Sequence, residues 1–550
     1  MKSSPWSGVI LSGALALLGA TGDRLAAADS PGRQLWVYCP RNLLVEAQVA
    51  ELEQLFTRAA RAGYTHVLLA DSKFARLGDM DERYFRHLER VKRAAASNAL
   101  EIVPALFPVG YSNDLLFHDP NLIEGLPVRG ALFVVRDGVA RLAADPAVPL
   151  KGGDFGDLQL WDWKDDTVSA DAGAALIRDP RGRNARIVQQ LRVSPFRQYH
   201  LSLRVKTEGF RGTLEAKFLA DGRPLNFNPL GVQATQEWTT HHVTFNSLEH
   251  TNVSLYLGCW GGESGAAWFD DVRLEEVGLL NLIRRAGAPL EIRREDGGAL
   301  VEGRDFEPLV DPKMGRHPWP GEYDVWHEPP VIKTGLPDGT RLRVSYYHAV
   351  TIYQGQAMIC PSEPRTIELL RDQARRMHAA WQAGAYFMSH DEIRVLNRCA
   401  ACAQRQLSAG TLLADHVRTC LAILKETAPT ARVYVWSDMF DPHHNAVANY
   451  YLVRGDLTGA WEGLDPSVVI VPWYFEKRAE SLQWFAGRGH RQMIAGYYDA
   501  APERVREWLS AAQAVDGVEG VMYTTWENRY DDLERFATAV RSFHASSPRR

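Results

Sequence analysis

Residues 385–402 read AYFMSHDEIRVLNRCAAC, an apolar run that stops on adjacent carboxylates, Asp391 and Glu392. His390 precedes the pair and Arg394 follows it. Acids suit the first turn of a helix, where backbone N–H groups lack partners, so one reading is a helix cap. The other places the pair at the mouth of a barrel, facing a substrate. The flanking sequence favours the barrel.

Just upstream, PRTIELLRDQARRMHAAW (364–381) carries Ile367, Leu370, Ala374, Met377 and Trp381 on one helical stripe. Ser362 and Pro364 supply its start. Downstream, ARVYVWSD, SVVIVPWY, RQMIAGYY and GVMYTTW are short apolar runs separated by helix-like sequence. Near the N-terminus, QLWVYCP, THVLLAD and EIVPALF repeat the same rhythm. Three strands, then AYFMSH, then four more give the count of a (β/α)8 TIM barrel. A ninth run, RLRVSYYH, is assigned to the return path of an insert.

That insert is all-β. Between about Gly152 and Val277, YHLSLRVKT, GTLEAKFLA, WTTHHVTF and NVSLYLGCW alternate in polarity and are separated by turn residues, as in a sandwich. The expected order is a signal peptide over 1–28 and a first barrel part over 29–150. A jelly-roll sandwich over 151–278, a connecting segment over 279–340 and the rest of the barrel over 341–550 follow. The leader rests on Lys2, the run VILSGALALLGA and an Ala26-x-Ala28 cleavage pattern, which predict a secreted or periplasmic protein without a membrane span.

The 550 residues carry a net charge of −5, without the basic stripe that nucleic acid requires. Sixteen Trp and nineteen Tyr are enough both for a core and for stacking on sugar rings. Cys399 and Cys402 form a CxxC, with Cys360 and Cys420 in the same half. Zinc would need a second ligand pair at suitable spacing, and none is apparent, so a disulfide or free buried thiols are expected.

Active sites of such barrels lie at the C-terminal strand ends. Those ends hold Arg41, Asp71, the Asp391–Glu392 pair, Trp436 and Asp438, Trp473, Tyr497 and Tyr498, and Trp526 and Glu527. Aromatic walls with acids suit a pyranose, whose C–H faces stack and whose hydroxyls need polar partners. His390 reads as a hydrogen-bond partner of the pair, and His443 and His444 lie on the loop after the fifth strand.

Outside the sandwich, the chain resembles the catalytic barrel of glycoside hydrolase family 20, the exo-β-N-acetylhexosaminidases. The likeness rests on Asp391 and Glu392 closing the fourth strand, and on VPALFPVGYS with Pro104, Pro108 and Gly110. It departs from the family at Ser389-His390, where Gly-Gly is usual, and at Tyr111, where His is usual. The resemblance implies Glu392 as general acid/base and Asp391 as the residue orienting a 2-acetamido group. It also implies Arg41, Tyr111, His390, Trp436, Asp438, Trp473, Tyr497, Tyr498, Trp526 and Glu527 as sugar contacts, with Tyr497 or Tyr498 holding the acetamido carbonyl. No cofactor is expected for catalysis, and the partner is an oligosaccharide or polysaccharide. The seventh strand ends in tyrosines where a protein nucleophile would stand, which favours attack by the substrate's own acetamido oxygen. Two alternatives stay open. One is a retaining glycosidase pairing Glu392 with Glu527, Glu476 or Asp438, and the other is a non-catalytic glycan-binding barrel.

The insert resembles carbohydrate-binding modules of families 4 and 9, through GGDF, WDW and the closing AAWFDDVRLEEV. This likeness implies Trp161, Trp163, Trp238 and Trp260 as glycan contacts, and Asp154 and Asp271 as candidate ligands of a structural calcium.

Overall fold

The computed structural model describes residues 34–353 and 355–546. The expected leader lies outside them. Eight strands close a parallel barrel in chain order: β1 (Gln34–Pro40), β2 (His66–Ala70), β3 (Glu101–Leu106), β4 (Ala385–Met388), β5 (Arg432–Trp436), β6 (Val469–Val471), β7 (Gln492–Ala495) and β8 (Val518–Tyr523). The seam pairs Leu35 with Val521. Amphipathic helices such as Glu46–Arg61, Glu82–Ser97, Pro364–Trp381 and Ala409–Thr427 cover the outside. The β5–β6 connection instead carries two short 3-10 turns, Asp438–Phe440 and Ala460–Gly463.

Side chains alternate across each strand, so every second residue enters the barrel. Trp36, Leu68, Val103, Ala105, Phe387, Tyr434, Val469, Met493 and Met522 fill that interior as one buried cluster. Trp36 stacks on His66 at 4.8 Å and meets Tyr434 at 4.7 Å, closing the barrel below the strand ends. The same alternation decides which strand-end residues look into the mouth.

Everything between β3 and the helix Pro364–Trp381 is inserted. Two five-stranded antiparallel sheets occupy its middle, one built around Gln198–Arg211 and Ser264–Val277, the other around Leu214–Ala220 and Asn252–Cys259. They share a core. Leu201, Leu203 and Val205 alternate inward from the first, and Phe218 of the second stacks on Phe245 of the first at 3.9 Å.

A third antiparallel sheet corrects the expected boundaries. Leu126–Arg136 pairs with both Val139–Leu142 and Arg341–His348, and Glu291–Arg294 and Ile332–Lys333 extend it. Residues 126–142 thus leave the barrel before the sandwich begins, 279–340 contributes strands rather than a bare connector, and 341–348 belongs to the insert. Val128, Phe133, Leu279, Ile292, Leu342 and Tyr346 give this sheet its own core. No helix among the described residues is long and apolar enough to cross a membrane.

Candidate active site

The strand ends surround a cavity of about 600 Å³. Tyr38, Trp436, Trp473 and Trp526 form its aromatic wall, with successive ring centroids 5.8–6.0 Å apart. Tyr38, Trp436 and Trp473 continue the inward alternation from Trp36, Tyr434 and Val471, and Trp526 stands three residues past the end of β8. Asp391, Glu392, Ser389, Asp71, Asp114, Tyr111 and Gln373 supply the polar part.

On β4 the alternation sends Phe387, Ser389 and Asp391 inward and His390 outward. Glu392 breaks the pattern with φ +49°, a left-handed conformation that is strained for a residue with a Cβ. That turn lets two consecutive acids face one cavity. Three contacts hold it. The Glu392 N–H donates to Asp438 Oδ2 at 2.8 Å, the Gln356 amide donates to the Glu392 carbonyl at 3.1 Å, and Gly110 packs beneath. A Cβ on Gly110 would stand 1.8 Å from the Asp391 carbonyl oxygen, so only glycine fits.

The Glu392 carboxylate accepts from the Tyr111 hydroxyl and pairs with Arg394 at 2.6 Å. Arg394 lies 5.0 Å from the rings of both Tyr353 and Tyr451 and bonds Gln356. Tyr451 in turn packs on Phe227 of the inserted domain at 4.7 Å. Burial pushes the Asp391 carboxyl well above the usual carboxylate range, and the charges of Asp438 and Glu392 push it further. Asp438 is likewise pushed up to about 7, chiefly by burial. Asp71 and Asp114 already have partners. Asp71 accepts from Leu43 N–H, Lys73 N–H and the Tyr84 hydroxyl, and Asp114 pairs with Lys73 and Arg76.

Several expected contacts are elsewhere. His390 is fully buried behind β4, 5.4 Å from His416, with neither ring nitrogen hydrogen-bonded. Burial holds its ring well below the usual imidazole range, and it packs in the core rather than at the cavity. Arg41 falls on the outward side of β1, bonds Asn528 at 2.6 Å and lines a neighbouring shallow cavity. Tyr497 stacks on Tyr523 at 4.0 Å and donates to Asp532, whereas Tyr498 is turned by φ +55° to donate to the Ala495 carbonyl. Neither tyrosine lines the cavity. Glu527 pairs with exposed Arg529, and Glu476 lines a separate surface cavity, 3.9 Å from Arg504. Asp438 is fully buried behind the acid loop and acts on Glu392 through the backbone. His444 stacks on Tyr474 and abuts Trp473, each at 4.5 Å, and so supports the wall from behind. Sequence reasoning missed Tyr38, Gln373 and Gln356. For Tyr38 the signal was present, two residues after inward Trp36.

In the insert, Trp163 and Trp260 are exposed on one sheet and flank Arg186 at 5.4 and 5.6 Å. Trp161 is buried instead, stacked on Phe155 and bonded to the Gly152 carbonyl, because it closes that sheet's core. Trp238 packs on the opposite sheet against the cluster holding Trp268. Asp271 pairs with Arg273 at 2.8 Å, and Asp154 accepts from Gly156 N–H at 3.3 Å. Among the described residues, the groups of three or more His, Cys, Asp or Glu side chains close enough to share an ion do not include either.

No family model matches the chain, and no curated protein matches it. Among solved structures it is similar to a β-N-acetylhexosaminidase, at 9% identity over 94% of this chain and 76% of the other, with a TM-score of 0.40. It is similar to a rhamnosidase from Novosphingobium sp. PP1Y at 11% identity, over 94% of this chain and 59% of that one, TM-score 0.32. A family 4 carbohydrate-binding module matches 21% of this chain and 77% of its own, at 21% identity and TM-score 0.18.

Proposed function

We propose that the protein is a glycoside hydrolase that acts on a 2-acetamido sugar by a substrate-assisted, retaining mechanism. The supporting observation is the cavity's carboxylate inventory. Of the four that line it, Asp71 and Asp114 are committed to structural partners, which leaves the consecutive pair Asp391 and Glu392. A two-carboxylate retaining enzyme needs its groups about 5 Å apart on opposite sides of the scissile bond. Neighbours on one loop do not flank a sugar in that way, and Glu527, Glu476 and Asp438 all lie outside the cavity lining.

In this reading the sugar stacks between Trp436, Trp473 and Trp526. Glu392 protonates the departing oxygen as the acetamido oxygen attacks the anomeric carbon. Asp391 orients the acetamido N–H, and Tyr38, which lines the cavity beside Trp436 and Trp526, takes the carbonyl role expected of the seventh-strand tyrosines. Water then opens the cyclic intermediate with Glu392 as base. A proton donor cannot at the same time be the anionic partner of Arg394, so that ion pair opens when sugar enters.

The pair Arg394–Glu392 also favours a second reading, in which neutral Asp391 donates the proton and Glu392 stays charged. A panel of aryl glycosides with and without the 2-acetamido group tests the main reading. It expects a preference of at least about 10³-fold in kcat/KM for the acetamido sugars. Comparable hydrolysis of plain glucosides removes the substrate-assisted step, and no hydrolysis across the panel points to a glycan-binding barrel.

A further inference from the structure

The CxxC of the opening stretch does not stand alone. Cys360 Sγ lies 3.4 Å from Cys399 Sγ and 3.6 Å from Cys402 Sγ. Glu124 Oε2 reaches the same point, 3.3 Å from Cys399 Sγ and 3.5 Å from Cys402 Sγ. All four ligand atoms lie within 4.8 Å of one another, and all four residues are buried.

We propose that Cys360, Cys399, Cys402 and Glu124 form a closed, tetrahedral zinc site that clamps the acid loop. The spacing fits the ion. With Zn–S of about 2.3 Å and Zn–O of about 2.0 Å, a tetrahedron has S···S edges of about 3.8 Å and S···O edges of about 3.5 Å. Four of the six edges, at 3.3–3.6 Å, sit within a few tenths of an ångström of these values, and the other two are no longer than 4.8 Å. Three soft thiolates and one carboxylate are a donor set that selects zinc over magnesium or calcium.

The surroundings orient the ligands. Glu124 Oε1 accepts from the backbone N–H groups of Arg398 and Cys399 at 2.7 and 2.8 Å, which leaves Oε2 aimed at the sulfurs. Ser362 Oγ stands 3.2 Å from Cys402 Sγ. Metal ligands are held by outer hydrogen bonds of this kind. A buried carboxylate is costly unless it is neutralised, hydrogen-bonded, paired or bound to a metal. Arg285 stands beside Cys360, Cys399 and Glu124 but also bonds Glu363 and the carbonyls of Asn121 and Ile123, so one guanidinium is shared among several anions and a zinc ion would supply the remaining positive charge. A disulfide between any two of these cysteines would leave one thiol and Glu124 buried without a reason to converge.

The ligands are far apart in sequence: Cys360 is 39 residues before Cys399, and Glu124 is 275 before it. The ion would therefore join the segment after β3, the segment before Pro364–Trp381 and the chain just beyond Arg394. The first two also carry Tyr111 and Gln356, and Arg394, where the third begins, is two residues after Glu392.

Full-length protein purified without chelator should hold about one zinc per chain by elemental analysis. Cobalt exchanged into it should show thiolate-to-cobalt charge transfer and the strong visible bands of a tetrahedral centre. Glu124→Gln and Cys402→Ser should lower metal content and broaden or weaken those bands. Unfolding in chelator without reductant should expose all six cysteines of the chain to a thiol reagent. Because the metal and thiol measurements use the unaltered chain, failure of a variant to fold leaves the proposal testable. Two missing thiols with no zinc would replace the site by a disulfide, and six thiols with neither zinc nor cobalt uptake would also overturn it.

Discussion

The Glu392 N–H donates to Asp438 Oδ2 across 2.8 Å, so a carboxylate at the end of β5 fixes the left-handed backbone of the acid that ends β4. Asn445 Nδ2 donates to the same oxygen at 3.0 Å. Asp438→Ala removes the acceptor of both donors, and of the Trp473 indole N–H at 3.5 Å, in a part-buried place, at about 1–3 kcal/mol for each donor left unpaired. Turnover should drop by about 10² as the acid loop relaxes, since misplacing a catalytic group by about 1 Å costs that much. Steady-state kinetics with circular dichroism to confirm folding checks this, and unchanged turnover removes the positioning role.

The same residue predicts a pH slope. Burial raises the folded Asp438 to about 7, so between its ordinary value near 4 and that value the native state binds more protons than the unfolded chain. Stability is then greatest at the acid end of this window and falls as pH rises toward 7. Asp391 shifts in the same sense. Asp438→Asn should flatten the slope without abolishing it, as read by denaturant midpoints at several pH values.

Glu392→Gln keeps the shape and removes the proton. Turnover on a substrate with a poor leaving group should fall by roughly 10²–10⁴. With an activated aryl leaving group, which needs little protonation, the loss should be much smaller. Equal losses on both substrates would move the donor role to Asp391.

Gly110→Ala tests the floor of the site without touching a polar group. The added Cβ meets the Asp391 carbonyl at 1.8 Å, and backbone must move. Activity should drop by about 10² or more while sugar stacking at Trp526 persists, so kcat falls more than KM rises.

Trp163 and Trp260 are exposed, and their double replacement by alanine should leave hydrolysis of a small aryl glycoside unchanged. Retention on insoluble polysaccharide should weaken, each lost aromatic stack costing about 0.5–1.5 kcal/mol. Retention equal to that of the unaltered chain would make this face of the insert a spacer.

The eight barrel strands were legible because a strand covered on both faces must be a short continuous apolar run. The third sheet was not, since Leu126–Arg136 and Arg341–His348 are partners separated by the whole sandwich, and no local pattern announces such a pairing. Asp391, Glu392, Trp436, Trp473 and Trp526 were found at the cavity because strand ends and aromatic residues are visible in sequence. His390 and Arg41 were misplaced because the two-residue alternation was not carried through the strand end. Tyr498 could not have been placed by alternation at all. Its φ of +55° redirects the chain, and a non-glycine residue gives no warning of that conformation.

Phe227 of the inserted domain touches Tyr451, Tyr451 flanks Arg394, and Arg394 holds Glu392. The sandwich is therefore not a cartridge that evolution or an engineer can swap by matching its ends alone. A donor module lacking an aromatic residue at that point would leave the arginine clamp short of one wall. Exchange between homologous chains should succeed when the β5–β6 loop travels with the module, and graft poorly when it stays behind.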